Sequence, residues 1–180
     1  MGQGHSIRWR LLAGIGAVLL ASCAGTGANL QPGVSTAQDV LASMGQPSQA
    51  WKNPDGSEQL AFVRGPAGTQ TYMAYFAPDG KLQRLTSVLD EAGFAKIQPG
   101  MTQDQVRRLI GPSIPDFTVR YPRTGQTSWT WLYCAPANFE NYFDVYFDTS
   151  TGKVVKTGYH PVMLGREGIA PNCMAQVVLR

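Results

Sequence analysis

The chain carries the same short pattern twice, and that repetition limits its fold more than any other feature. Residues 31–45 open with Gln31-Pro32-Gly33, and residues 98–111 open with Gln98-Pro99-Gly100. Each opening is followed two places on by a hydroxyl residue, Ser35 and Thr102, and three further on by a glutamine, Gln38 and Gln105. That spacing predicts a capping box, in which the two side chains satisfy orphan N–H groups at a helix start. Each segment ends in an apolar residue and a glycine, Met44-Gly45 and Ile110-Gly111, which predicts a helix stop. On this alignment the second helix is one residue shorter. The two starts stand about 67 residues apart, and a unit of that size buries little surface by itself. Two units sharing a core are therefore expected.

Strand signals follow each helix. In the first unit they cover 60–64, 69–76 and 81–89, with a turn at Ala77-Pro78-Asp79-Gly80. In the second they cover 117–121, 128–134, 142–147 and 153–159, with a turn across Asp148 to Gly152. One helical turn over 90–95 is expected between the units. Helices on one face of an antiparallel sheet give an α+β class. Hydrophobic residues make up 43% of the chain, enough for a packed core.

The N-terminus reads as an address. Arg8 and Arg10 precede an apolar run from Leu11 to Leu20, too short to span a bilayer as a helix. The run ends in Leu20-Ala21-Ser22-Cys23, followed by a Gly, Ala and Thr stretch suited to a tether. This segment resembles a bacterial lipobox. The resemblance implies that residues 1–22 are removed and that Cys23 is acylated, and Ala24 in place of Asp implies the outer membrane rather than the inner one. The other reading is an ordinary secretory signal with an incidental cysteine. Loss of Arg8 and Arg10 takes the 15 positives to 13 against 12 negatives. A net charge of +1 argues against nucleic acid as a partner and leaves membrane attachment to lipid.

Two cysteines remain, Cys134 and Cys173, and an even pair in an exported chain reads as one disulfide. Free thiols are the alternative. The bond would staple the tail, 161–180, onto the strand ending near Cys134.

No motif for catalysis, metal or cofactor is present. His160 lacks a GxSxG or HExxH context and reads as a surface residue. Asp39, Asp104 and Asp116 have no metal spacing. Trp129, Trp131 and Tyr133 alternate onto one strand face; core packing is one reading and a partner platform the other. Tyr142, Phe143, Tyr146 and Phe147 fall on both faces of a neighbouring strand. Arg107, Arg108, Arg120 and Arg123 give the second unit a basic tint suited to anionic headgroups or an acidic partner. The candidate partner contacts are thus Trp129, Trp131, Tyr142, Tyr146, Arg107 and Arg108.

Gly100-Met-Thr-x-x-x-Val106-x-x-Leu109-Ile110-Gly111, the Trp/Tyr-rich strand, and Phe147-Asp-x-x-x-Gly152-Lys-Val154 together resemble the SmpA/OmlA (BamE-like) family of outer-membrane lipoproteins. The match is clearest over 97–159 and more divergent over 30–89. It implies a short helical layer on a three-stranded antiparallel sheet, present here in two tandem copies, as in the β-lactamase inhibitor protein. It also implies a lipid-anchored, non-enzymatic accessory protein on the periplasmic face of the outer membrane. Its partners would be the β-barrel assembly machinery or other envelope proteins. The alternative is a periplasmic inhibitor or enzyme-binding module. The expected organisation is a signal at 1–22, a tether at 23–29, units at 30–95 and 96–160, and a tail at 161–180.

Overall fold

The computed structural model describes residues 27, 29–65, 68–136, 139–162 and 173. The signal segment, Cys23 and most of the tether and tail lie outside the described residues. The first unit holds α1 (Ala37–Met44), β1 (Gln49–Lys52), β2 (Glu58–Arg64), β3 (Gln70–Phe76) and β4 (Leu82–Ser87). A short helix α2 (Glu91–Phe94) leads to α3 (Gln103–Ile110), β5 (Val119–Tyr121), β6 (Gln126–Ala135), β7 (Phe139–Asp148) and β8 (Val154–Pro161). The class is α+β, with two antiparallel sheets ordered β1-β2-β3-β4 and β5-β6-β7-β8.

Each sheet has four strands, not the three that the family resemblance implied. In the second unit the extra strand is the sequence-legible segment around 119–121. In the first it is β1, four residues that pair with β2 from Gln49↔Ala61 to Lys52↔Glu58.

Both helices are capped at threonine. Thr102 and Gln105 form the expected box. In the first unit the box is Thr36 with Asp39, not Ser35 with Gln38. Ser35 is buried instead, and its Oγ accepts the Gln31 N–H at 2.9 Å. Both helices therefore have eight residues. The length difference between the units lies in the loop before the helix, where Val34 and Ser35 stand against Met101.

α1 buries Val40 and Met44 against Leu60, Phe62, Ala74, Phe76 and Leu82, the inner face of the first sheet. α2 and α3 bury Phe94, Val106 and Ile110 against Trp131, Tyr133, Phe143, Val145 and Phe147 of the second sheet. Phe94 is central there, stacked on Phe143 at 4.1 Å and edge-on to Tyr133 at 4.8 Å. The opposite side of α3 lies on the outer face of the first sheet. Gln59 Nε2 donates to the Arg108 carbonyl at 2.5 Å, and Trp51 Nε1 donates to Asp104 Oδ1 at 3.1 Å. The layers thus run α1, first sheet, α2 with α3, second sheet.

Cys134, on β6, lies at disulfide distance from Cys173, with Cα atoms 5.6 Å apart. The tail residues on either side of Cys173 lie outside the described residues.

Gly111 shows how tight the layer between the sheets is. It closes α3 at φ 80° and ψ −174°, a conformation that strains any residue with a Cβ. A Cβ there would also stand 2.6 Å from Thr71 Cγ2 across the joint. Gly45 closes α1 at φ 71°, and a Cβ there would meet nothing nearer than Arg64 Nη2 at 3.9 Å, an ordinary contact. Gly111→Ala is expected to destabilise more than Gly45→Ala, by about 1–3 kcal/mol of overpacking added to a similar backbone strain. Urea denaturation of the two variants measures that difference.

Candidate functional site

Among the expected contact residues, Trp131 is not on the surface. It is 1% exposed, belongs to the second core, and its Nε1 donates to the Gly111 carbonyl at 3.2 Å. An indole with its N–H satisfied in the core has nothing left to offer a partner. Trp129 sits at the edge of the same cluster, half-buried, against Phe147 at 4.8 Å and under the Arg107 guanidinium at 5.3 Å.

Arg107 and Arg108 are turned to an internal task. Arg108 Nε donates to Asp104 Oδ2 at 2.8 Å, and its Nη1 donates to Asn53 Oδ1 at 3.0 Å. Its guanidinium also lies 5.4 Å from the Trp51 ring centre. Arg107 stands 3.9 Å from Asp104. A single acid on α3 thus gathers both arginines and the first unit's tryptophan. The joint is half-exposed, so its charge attraction is weak, on the order of 1 kcal/mol or less. Its value lies in fixing register.

Arg108's hydrogen bond, then the Trp51 N–H, hold the Asp104 carboxyl below its ordinary value, against an opposing effect of burial. A carboxyl depressed by folding stabilises the native state above its unfolded pKa of about 4, and that stabilisation is lost as pH falls through the lower folded value. Asp104→Asn is therefore expected to lower the melting temperature at pH 7 and to lose less than the parent between pH 5 and pH 2. Thermal melts across that range check both signs.

Tyr142 and Tyr146 lie on the outer face of the second sheet, while Phe143 and Phe147 point into the core. Burial, with the Glu140 charge adding to it, raises the Tyr142 phenol above its usual pKa. Burial and the Asp144 charge do the same for Tyr146. Both phenols therefore stay protonated and neutral across the physiological range. Tyr142 meets Phe117 edge-on at 5.4 Å, and Tyr146 lies 6.1 Å from Tyr121. Phe117 belongs to a 3-10 turn, Pro115–Phe117, and Tyr121 to β5. Tyr142, Phe117 and Tyr121 wall a cleft of about 270 Å³ that also includes Asp116, Val119, Ser128, Thr130, Asp144 and His160.

Asp144 forms the floor and is 6% exposed. Thr130 Oγ1 donates to its Oδ1 at 2.6 Å, His160 Nδ1 lies 3.0 Å from Oδ2, and Tyr146 OH lies 3.5 Å from Oδ2. His160 is thus a partner of a buried acid rather than a bare surface residue. Sequence reasoning did not single out Thr130 or Asp144. They meet His160 only through strand register, Thr130↔Asp144 on one side and Tyr142↔His160 on the other.

β5 is the edge of its sheet and is three residues long. Phe117, Val119 and Tyr121 are exposed beside it, and Arg120 and Arg123 are exposed on the strand and its turn. No helix among the described residues is long and apolar enough to cross a membrane.

No family model matches the chain, and no curated protein matches it. Among solved structures it is similar to an extracellular protein containing a SCP domain from Bacillus anthracis str. Ames. The identity is 13% and the TM-score 0.29, and the alignment covers 98% of this chain and 58% of that one. The chain spans less than two thirds of that protein's length, and a likeness this slight establishes neither a shared fold nor a shared activity.

Proposed function

We propose that the protein is a lipid-anchored accessory scaffold on the periplasmic face of the outer membrane, serving β-barrel protein assembly or envelope maintenance without chemistry of its own. Cys23 carries the acyl anchor in this reading, and the body is a doubled SmpA/OmlA-like unit with an added edge strand in each copy. The observation that supports it most is the seating of α3 on the first sheet while it packs into the second. That seating joins the two units, so the β5 edge is presented as a fixed surface rather than on a hinge. A short edge strand flanked by Phe117, Val119 and Tyr121 suits partner recognition by strand pairing with apolar anchors. Tethering by lipid raises the effective concentration of that edge near membrane partners.

The competing reading is a periplasmic inhibitor or enzyme-binding module. Duplication favours it, because two sheets offer a broader face than one. A lipid anchor is something an inhibitor does not need.

The test is capture from native envelopes with the full-length protein in mild detergent. Envelope proteins are expected to co-purify with it and to cross-link through a photoreactive residue at Tyr121. A Val119→Asp change should lower recovery about tenfold, the loss expected for an interface anchor, without changing the melting temperature. Recovery no greater than that of a Cys23→Ala control overturns the proposal. Tight inhibition of a periplasmic hydrolase by the protein would support the competing reading.

A further inference from the structure

The two sheets correspond residue for residue across their outer faces. Met73 pairs with Ala61 on one side and Thr86 on the other; Asp144 pairs with Thr130 and Gly158. Arg84 lies over Tyr75 at 4.3 Å and Lys156 over Tyr146 at 4.7 Å, at matching positions. A register shift follows the tyrosine in both, at Tyr75/Phe76 and Tyr146/Phe147. By the same correspondence Val88, bonded to the Thr71 carbonyl, matches His160, opposite Tyr142.

Ala61, Met73 and Val88 form a small apolar cluster on the first sheet's outer face, the face on which α3 lies. The matching residues of the second sheet are Thr130, Asp144 and His160. A buried apolar patch has become a hydrogen-bonded polar trio. The connection leading to it is also longer. Three residues separate Gly45 from Gln49, whereas five separate Gly111 from Phe117, the residue matching Gln49. That longer connection folds into the 3-10 turn beside the trio. Ile114 N–H donates to the Thr130 carbonyl at 2.9 Å, fixing the turn to β6.

We propose that this cleft binds an organic cation, a primary ammonium or guanidinium group carried on an apolar stem. The Asp144 carboxylate has its hydrogen bonds from Thr130 and Tyr146, so what it lacks is countercharge rather than donors. Among the described residues its ion-pair partner is His160, which is half-exposed and charged only when protonated. A buried carboxylate without a full positive charge is costly, and a cationic guest removes that cost. The walls suit the same guest. Tyr142 and Phe117 offer ring faces for cation–π contact and for the stem. Elsewhere on the same face Lys156 lies over Tyr146, an ammonium held against a ring in this way. Asp116 adds a second negative charge among the lining residues. The size fits a side-chain-like amine rather than a larger ligand. A metal ion is a poorer match, since no three His, Cys, Asp or Glu side chains among the described residues are grouped to hold one. The cleft shares Phe117, Val119 and Tyr121 with the edge proposed above for partner contact, but the cation site is argued from Asp144 and does not require that role.

The test titrates the full-length protein in detergent with benzylammonium, then with benzyl alcohol as the uncharged counterpart, following the Tyr142 and His160 ring resonances by NMR. Saturable shifts at both rings are expected with the amine, and binding of the alcohol should be at least about tenfold weaker. Asp144→Asn should weaken the amine by a similar factor, whereas His160→Gln should retain it. Equal binding of amine and alcohol overturns the proposal. So does unchanged amine binding in an Asp144→Asn protein that melts like the parent, or preferential saturable binding of methyl glucoside. Should Asp144→Asn fail to fold, the amine–alcohol comparison on the parent protein decides.

Discussion

The architecture depends on one helix packing in two directions. α3 turns Val106 and Ile110 into the second sheet and its backbone and polar side toward the first. Hydrophobic burial supplies the larger share on one side, because apolar area removed from water is the main favourable contribution to folding. On the other side polar contacts set the alignment. The Arg108 carbonyl accepts from Gln59, and Asp104 accepts from Trp51. Remove that layer and the outer face of the first sheet, with Ala61, Met73 and Val88, would be open to water. A chain of this length thereby acquires a core larger than either unit could build alone.

Much of this arrangement was readable in the residues. The duplicated Gln-Pro-Gly starts, the helix stops at Gly45 and Gly111 and most of the strands follow from local chemistry. The cap of α1 was legible only to within one residue. Ser35 and Thr36 are both hydroxyl residues, and Gln38 and Asp39 both suit the third helical position. The choice falls to Thr36 because Ser35 is needed to hold the Gln31 N–H. β1 was missed because four residues, Gln49-Ala50-Trp51-Lys52, carry no period long enough to see. Its pairing with β2 is a tertiary fact.

The surface was harder to read than the core. Arg107 and Arg108 look like a basic face on a helical wheel, yet Asp104 one turn earlier engages both, while Arg108 reaches Asn53 and Trp51 of the first unit and Arg107 covers Trp129 of the second. Trp131 looked as available as Trp129, since alternation places both on one face and says nothing of which end the helices cover. The Thr130, Asp144 and His160 cluster leaves no local mark at all. Three strands contribute one residue each, and only register brings them together. A comparison of the two copies position by position would have found it, because polar residues stand where their counterparts are Ala, Met and Val.

That exchange also bears on what each sheet can accept on its outer face. A unit whose helix seats on the preceding sheet makes a head-to-tail contact, in which the two surfaces that meet are different. An apolar patch left open on an outer sheet face would be a seat for a further helix of the α3 kind. With a carboxylate at its centre and an aromatic turn folded beside it, the outer face of the second sheet lacks the apolar patch that a helix like α3 covers on the first. Asp144, standing where the first sheet has Met73, thus makes the two outer faces unlike: one takes a helix on an apolar patch, the other carries a buried acid.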